Sequence, residues 1–220
     1  MAINTEVYRR VLGELAPSAT LVAVSKFKPV SDIQALYDEG QRDFGENYVQ
    51  ELLEKQSLLP PDTRWHFIGH LQSNKVKYIA PFVHMIQGVD SYSLLKEINK
   101  RAFKAGRVID CLLQVHIARE ETKFGFDADE LKAVLHEYAS DRESLSHIRL
   151  RGLMGMASNT SDHILVREEF AGLKRLFDHY QPRIEAWDTL SMGMSIDYTI
   201  AVEEGSTMVR IGSLLFGSRS

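Results

Sequence analysis

The chain has 220 residues, 44% of them hydrophobic and 25% charged, with a formal net charge of −4. That length can bury a large core, and the mild acidity excludes a basic field for nucleic acid or anionic lipid. No run approaches the ~18 apolar residues of a membrane-spanning helix, and the single cysteine, Cys111, excludes an intrachain disulfide. The opening MAINTEVYRRVLGELAP has no signal-peptide core. These features predict a cytoplasmic protein of a reducing compartment.

A leading helix is predicted over residues 4–15. Short apolar runs then read as strands at 20–27, 43–46, 65–69, 85–89, 110–117, 149–157, 189–192 and 208–212. Cys111 falls in the fifth, within IDCLLQV, as a small buried hydrophobe. Helical periodicity fills the intervals. SYSLLKEINKRAFKAG places Leu94, Leu95, Ile98, Ala102 and Phe103 on one face, and Gly106 ends it. Ser31-x-x-Gln34 and Asp127-x-x-Glu130 read as capping boxes. DHILVREEFAGLKRLFDHYQP is a long amphipathic helix stopped at Pro182, and only SLLFGSRS follows the last strand.

Alternating strands and helices predict an α/β fold with a parallel sheet. Eight repeats predict a single (β/α)8 TIM barrel over residues 1–220 with an extra N-terminal helix. An open doubly wound sheet is the alternative. It normally carries a glycine-rich turn after its first strand, where this chain has SKFKPVS.

Barrel active sites sit at the C-terminal ends of the strands, which narrows the candidates. Lys26 ends strand one, Glu46 and Asn47 end strand two, and His66 and His70 flank the end of strand three. Asp90 follows strand four, His116 and Lys123 lie at or beyond strand five, and Ser158 follows strand six. Ser191 and Ser195 bracket strand seven's end, while Arg210, Gly212 and Ser213 end strand eight. LSMGMSIDY and VRIGSLLFG each join a glycine turn, hydroxyls and a helix start. Together they read as a phosphate cup, with two ordinary glycine turns as the alternative.

Lysine at the mouth of a core strand is rare unless it is paired or chemically engaged. Lys26 opposite a phosphate cup points to either a phosphosugar Schiff base or pyridoxal 5'-phosphate (PLP). His66-x-x-x-His70 has metal-like spacing only on a helix, and WHFIGH reads as strand and turn with no third ligand, so no metal is expected. There is no Walker-type or GxGxxG sequence. Met154, Met156, Met192 and Met194 read as adaptable packing.

The segments AVSKFKP, FGENYVQE, WHFIGHLQSNK, GLMGMAS, LSMGMSIDY and VRIGSLLFG occur in this order from Leu21 to Gly217. They resemble the pyridoxal phosphate homeostasis protein family, also called the YggS/PROSC or PLP-binding protein family. Its fold is similar to the barrel of alanine racemase and of bacterial-type ornithine decarboxylases. The resemblance implies PLP held as a Schiff base on Lys26, with Lys28 a nearby second cation. It implies phosphate binding at Ser195, Gly212 and Ser213 with Ser191 close by, Arg210 facing the pyridine nitrogen, and Asn47 lining the cofactor. The chain departs from the family pattern at Phe27, where threonine is commoner, and at His116, where asparagine is.

Arginine stays protonated and accepts no hydrogen bond, so at that position it should keep the ring nitrogen unprotonated and the ring a weak electron sink. The chain ends eight residues after Gly212, so the additional β domain of the racemase is expected to be lacking. The implied function is a PLP-binding protein of vitamin B6 and amino-acid homeostasis, without established catalysis. The alternative is a PLP-dependent amino-acid racemase or related enzyme acting at Cα, with a phosphosugar aldolase as a third reading. Expected partners are PLP and PLP-dependent apo-enzymes, with no nucleic acid, no membrane and a monomeric state.

Overall fold

The computed structural model describes residues 3–120 and 124–217. Its strands are β1 (Thr20–Val24), β2 (Asp43–Glu46), β3 (Arg64–Phe67), β4 (Met85–Val89), β5 (Ile109–Val115), β6 (Ile148–Gly155), β7 (Thr189–Met194) and β8 (Met208–Ile211). They pair in chain order, all parallel, and close into a barrel where β1 runs beside β8 from Thr20↔Met208 to Ala23↔Ile211. Helix α1 (Thr5–Leu15) precedes the barrel. Helices α2 (Val30–Asp38), α3 (Val49–Gln56), α4 (Val76–Ile79), α5 (Tyr92–Lys104), α6 (Ala128–Ser140), α7 (His163–Tyr180), α8 (Tyr198–Glu203) and α9 (Ser213–Phe216) follow the strands in turn.

The closed barrel, rather than the open sheet, explains the apolar runs. A parallel strand covered on both faces has no reason to alternate, and all seven residues of β5 are buried. Alternate side chains turn inward: Val22, Met85, Leu112, Met154 and Met208 form an inner cluster, separate from the larger core that strands share with helices. Cys111 belongs to that outer core, and burial pushes its thiol pKa up. The short helix α9 replaces the expected unstructured tail and is tied to the start of the chain through Asn4 N–H to the Leu215 carbonyl.

Local signals account for most helix ends. The Asp127–Glu130 capping box forms on α6, and Gly106 takes the left-handed conformation (φ +64°) after α5. Two expectations fail. Ser31 is no cap, because α2 begins at Val30 behind Pro29 and Ser31 already lies in its first turn. Phe103 is exposed: Leu94, Leu95, Ile98 and Ala102 fill the buried stripe of α5, and the next residue turns out of it to meet His147 edge-on at 5.0 Å.

Ion pairs close the N-terminal end of the barrel. Arg64 grips Asp43 with both arms, while Asp110 accepts from Arg149 and Arg151, and Arg151 also holds Asp188. Burial opposes ionisation of Asp43, but the hydrogen bonds from Arg64 and His66 win and hold its carboxyl well below the usual range.

Candidate functional site

At the opposite end, a cavity of roughly 290 Å³ opens among the C-terminal ends of the strands. Its walls carry Lys26, Lys28, Asn47, Ser195, Arg210, Gly212 and Ser213, with Val24, Ile68, Met156, Met194 and Ile196 as apolar lining.

Lys26 stands in the loop just after β1, which leaves the ladder sooner than its apolar run implies because Lys28 N–H turns back to the Ser25 carbonyl. Its neighbours on both sides are clamped. The Ser25 hydroxyl donates to Glu46 Oε1 at 2.6 Å, and buried Lys55 donates to the Ser25 carbonyl at 2.8 Å. The same ammonium reaches Glu46 Oε1 at 2.8 Å and Glu51 Oε2 at 2.6 Å, and Glu51 accepts the Phe27 N–H at 2.8 Å. Phe27 is held at φ +61°, a conformation costly for an L side chain. One ammonium thus serves two carboxyls. Burial pushes Glu46 up to about 7 despite Lys55, whereas Glu51 stays low because, against its partial burial, Lys55, Glu46 and the Phe27 N–H all stabilise its charge.

Arg210 enters from β8 and is buried, with Nη1 donating to Ser191 Oγ at 2.5 Å and Nη2 to the Gly155 carbonyl at 2.9 Å. Both acceptors are neutral. Burial therefore lowers its pKa to about 10, with Asp197 opposing through space, and the guanidinium is still cationic at neutral pH. Ser191 itself lies wholly buried behind Arg210, outside the cavity lining, and donates to Gln87 Oε1 at 2.7 Å.

The β7–α8 turn presents Ser195, whose Oγ accepts from the Gly212 N–H at 3.2 Å and so joins the two glycine turns. Gly193 makes this turn: its φ is +95°, and a Cβ there would lie 2.6 Å from that of Ala201. Lys28 lines the cavity, yet its Nζ donates to the Phe216 and Gly217 carbonyls at 2.9 and 3.2 Å. It ties the end of α9 to the mouth. Asn47 contributes a buried Oδ1 with no hydrogen-bond partner among the described atoms.

Other strand-end residues go elsewhere. His70 pairs with Asp90 at 2.8 Å and stacks on Phe124, His116 bonds the Glu120 carbonyl, and Ser158 bonds Glu169. Lys123 lies outside the described residues. His66 and His70 do not converge, since His66 turns into the barrel toward Asp43 and Gln87. Among the described residues, Asp43, His66 and His84 do place ligand atoms within 4.8 Å of one another. Arg64 and His66 already occupy that carboxylate, and Gln87 occupies the other His66 nitrogen, so the trio is a hydrogen-bonded structural cluster.

Sequence reasoning missed Ser25, Glu51, Lys55 and Gln87. Glu51 and Lys55 are spaced i, i+4, which reads as an exposed helix pair. Gln87, inside IQGVD, was the findable one: a lone amide in a core strand needs polar partners inside the barrel.

The profile of the family described as "Alanine racemase, N-terminal domain" matches residues 2–220. A relative from Aquifex aeolicus named "Pyridoxal phosphate homeostasis protein" is 43% identical over 203 residues, 91% of this chain and 87% of that one. The structure of PipY from Synechococcus elongatus PCC7942 with PLP bound superposes with a TM-score of 0.87 at 35% identity, covering 96% of this chain and 99% of PipY. Alanine racemase from Bartonella henselae, at 17% identity and TM-score 0.76 over 99% of this chain and 60% of its own, shares the fold. With this extent and identity, the chain belongs to the pyridoxal phosphate homeostasis protein family, built on the barrel that alanine racemase also uses.

Proposed function

We propose that the chain is one PLP-binding barrel domain that holds the cofactor on Lys26 and serves intracellular PLP and amino-acid homeostasis. The observation that carries this reading is that a lysine, a cationic arginine and two joined glycine–serine turns line one cavity. The relative named for PLP homeostasis and the PLP-bound PipY support it.

The donor set fits the cofactor. Lys26, Lys28 and Arg210 give the cavity a positive balance suited to a dianionic phosphate, and Ser195, Ser213 and the Gly212 turn supply hydroxyl and backbone groups. Val24, Ile68, Met156 and Met194 suit a flat aromatic ring, and the orphaned Asn47 Oδ1 calls for a donor on the ligand. PLP supplies an aldehyde, which condenses with the lysine amine so that a C=N bond forms and water leaves. The clamp on Ser25 and Phe27 fixes the loop that presents Lys26. Arg210, charged and unable to accept a hydrogen bond, opposes protonation of a ring nitrogen in front of it. That favours holding the cofactor over stabilising a carbanion on it.

PLP-dependent apo-enzymes are the proposed recipients, in the cytoplasm. Among the described residues no helix is long and apolar enough to cross a membrane. Borohydride reduction after PLP loading tests the assignment. Wild type should retain one PLP per chain and Lys26→Ala none, with weak non-covalent uptake left by the turns. Equal retention by the variant would move the linkage to another lysine.

A further inference from the structure

A continuous row of polar side chains runs along the barrel axis from the cavity to the opposite end. Arg210 Nη1 donates to Ser191 Oγ (2.5 Å), and Ser191 donates to Gln87 Oε1 (2.7 Å). The Gln87 amide nitrogen lies 3.0 Å from His66 Nδ1, and His66 Nε2 lies 2.9 Å from Asp43 Oδ1, which Arg64 also grips. Ser191, Gln87 and His66 are essentially inaccessible to solvent, so no water competes for these bonds.

The direction of the row follows from its two ends. Arginine can only donate, so Ser191 accepts from it and passes its own hydrogen to the Gln87 carbonyl oxygen. The amide nitrogen of Gln87 then faces His66 Nδ1 and must donate, which leaves Nε2 carrying the hydrogen toward a carboxylate that can only accept. Every bond points from Arg210 to Asp43. Reversing Gln87 would set its NH2 against Ser191 and deprive the serine hydrogen of its acceptor, so no link can turn alone.

We propose that Gln87 and His66 are positioning residues for the cofactor, acting through Ser191 to fix where Arg210 presents its charge to the pyridine ring. Arg210 needs such support because no carboxylate among the described residues is within ion-pair distance of it. Its other bonded acceptor, the Gly155 carbonyl, holds only Nη2. Ser191 can hold Nη1 only while its own hydrogen is directed to Gln87. The groups that face His66 are Asp43 from β2, Arg64 from β3, Gln87 from β4 and His84 from the segment before β4, whose ring centroid lies 5.3 Å away. The inference rests on the reading of this cavity as a PLP site.

The test uses the full-length protein loaded with PLP labelled with ¹⁵N in its ring, read by the ¹⁵N chemical shift of that nitrogen from pH 6 to 9 and by the PLP dissociation constant. Gln87→Met keeps the volume and cuts the row. It should move the shift toward the protonated value, as Arg210→Gln does, and weaken binding by about tenfold. Leu112→Val, a packing change in the same inner cluster, should leave the ring nitrogen at its wild-type shift. If Gln87→Met does not fold, Ser191→Ala is read in the same way. An unmoved ¹⁵N shift and an unchanged dissociation constant in the variant overturn the positioning role. Failure of wild type to take up PLP would instead overturn the cofactor reading, and this inference with it.

Discussion

The two ends of the barrel are both polar, but they treat charge in opposite ways. At the N-terminal end each buried carboxylate has a guanidinium: Asp43 has Arg64, and Asp110 has Arg149 and Arg151. At the C-terminal end Arg210 leans on two neutral oxygens, Lys55 is divided between two carboxyls, and Phe27 is held in a left-handed conformation. Pairing stabilises the first end. Incomplete pairing and local strain leave the second with charge directed at a ligand, which is where a binding site is expected to concentrate its cost.

Breaking a pair at the closed end should have the largest effect on stability. Asp43→Ala strands Arg64 and removes the acceptor of buried His66, and should cost about 3 kcal/mol, or roughly 9 °C in melting temperature. Lys26 should still retain PLP after borohydride, because the cavity walls are untouched. A variant as stable as wild type would mean that the ion pairs close the barrel without stabilising it.

The open end should show itself in the pH dependence of stability. The Glu46 carboxyl stands near 7 in the fold, against 4.5 for an ordinary one. Between those values the folded chain keeps a proton that the unfolded chain has lost, so this group's contribution falls as pH rises from about 4.5 to about 7. The loss should be about 2 kcal/mol, allowing for the charge shared with Lys55. Glu46→Gln should remove that slope in denaturant unfolding measured at pH 5, 6 and 7. An unaltered slope would mean that Glu46 is ionised throughout.

Arg210→Met separates the ends further. An arginine bonded only to neutral acceptors contributes little net stability once its desolvation is counted. The ligand-free variant should stay within about 1 kcal/mol of wild type by urea unfolding, while its PLP dissociation constant rises at least tenfold. A destabilisation matching that of Asp43→Ala would erase the contrast between the two ends.

The fold was legible because a parallel barrel buries both faces of each strand, so runs such as MIQGV and IDCLLQV mark strands without any alternation. Strand ends were less so. β1 stops at Val24 because a turn at Ser25 to Lys28 overrides the apolar run, and no composition signal marks it. Strand-end position placed Lys26, Asn47, Ser195, Arg210, Gly212 and Ser213, and these line one cavity. The same rule placed His70, His116 and Ser158 at strand ends, where each is instead taken up by a loop partner. Supporting residues were hidden for a physical reason. Ser25, Glu51, Lys55 and Gln87 act through contacts across strands that are distant in sequence, and a lysine on a helix looks the same whether it faces water or a carboxylate.

The smallest effect is confined to the residue after Lys26. Phe27 is about half-exposed and stacks on Tyr48 at 5.2 Å, so its ring offers little burial to offset a φ of +61°. Asparagine tolerates that conformation better and keeps the N–H that Glu51 accepts. Phe27→Asn should therefore raise the stability of the ligand-free protein by about 0.5 kcal/mol, the strain relieved slightly exceeding the stacking lost. PLP retention on Lys26 should be unchanged, since the Lys55 and Glu51 clamp is intact. A variant that is less stable than wild type would show that the Phe27–Tyr48 contact outweighs the strain, and that the mouth is held by its aromatic rim as well as by its buried charges.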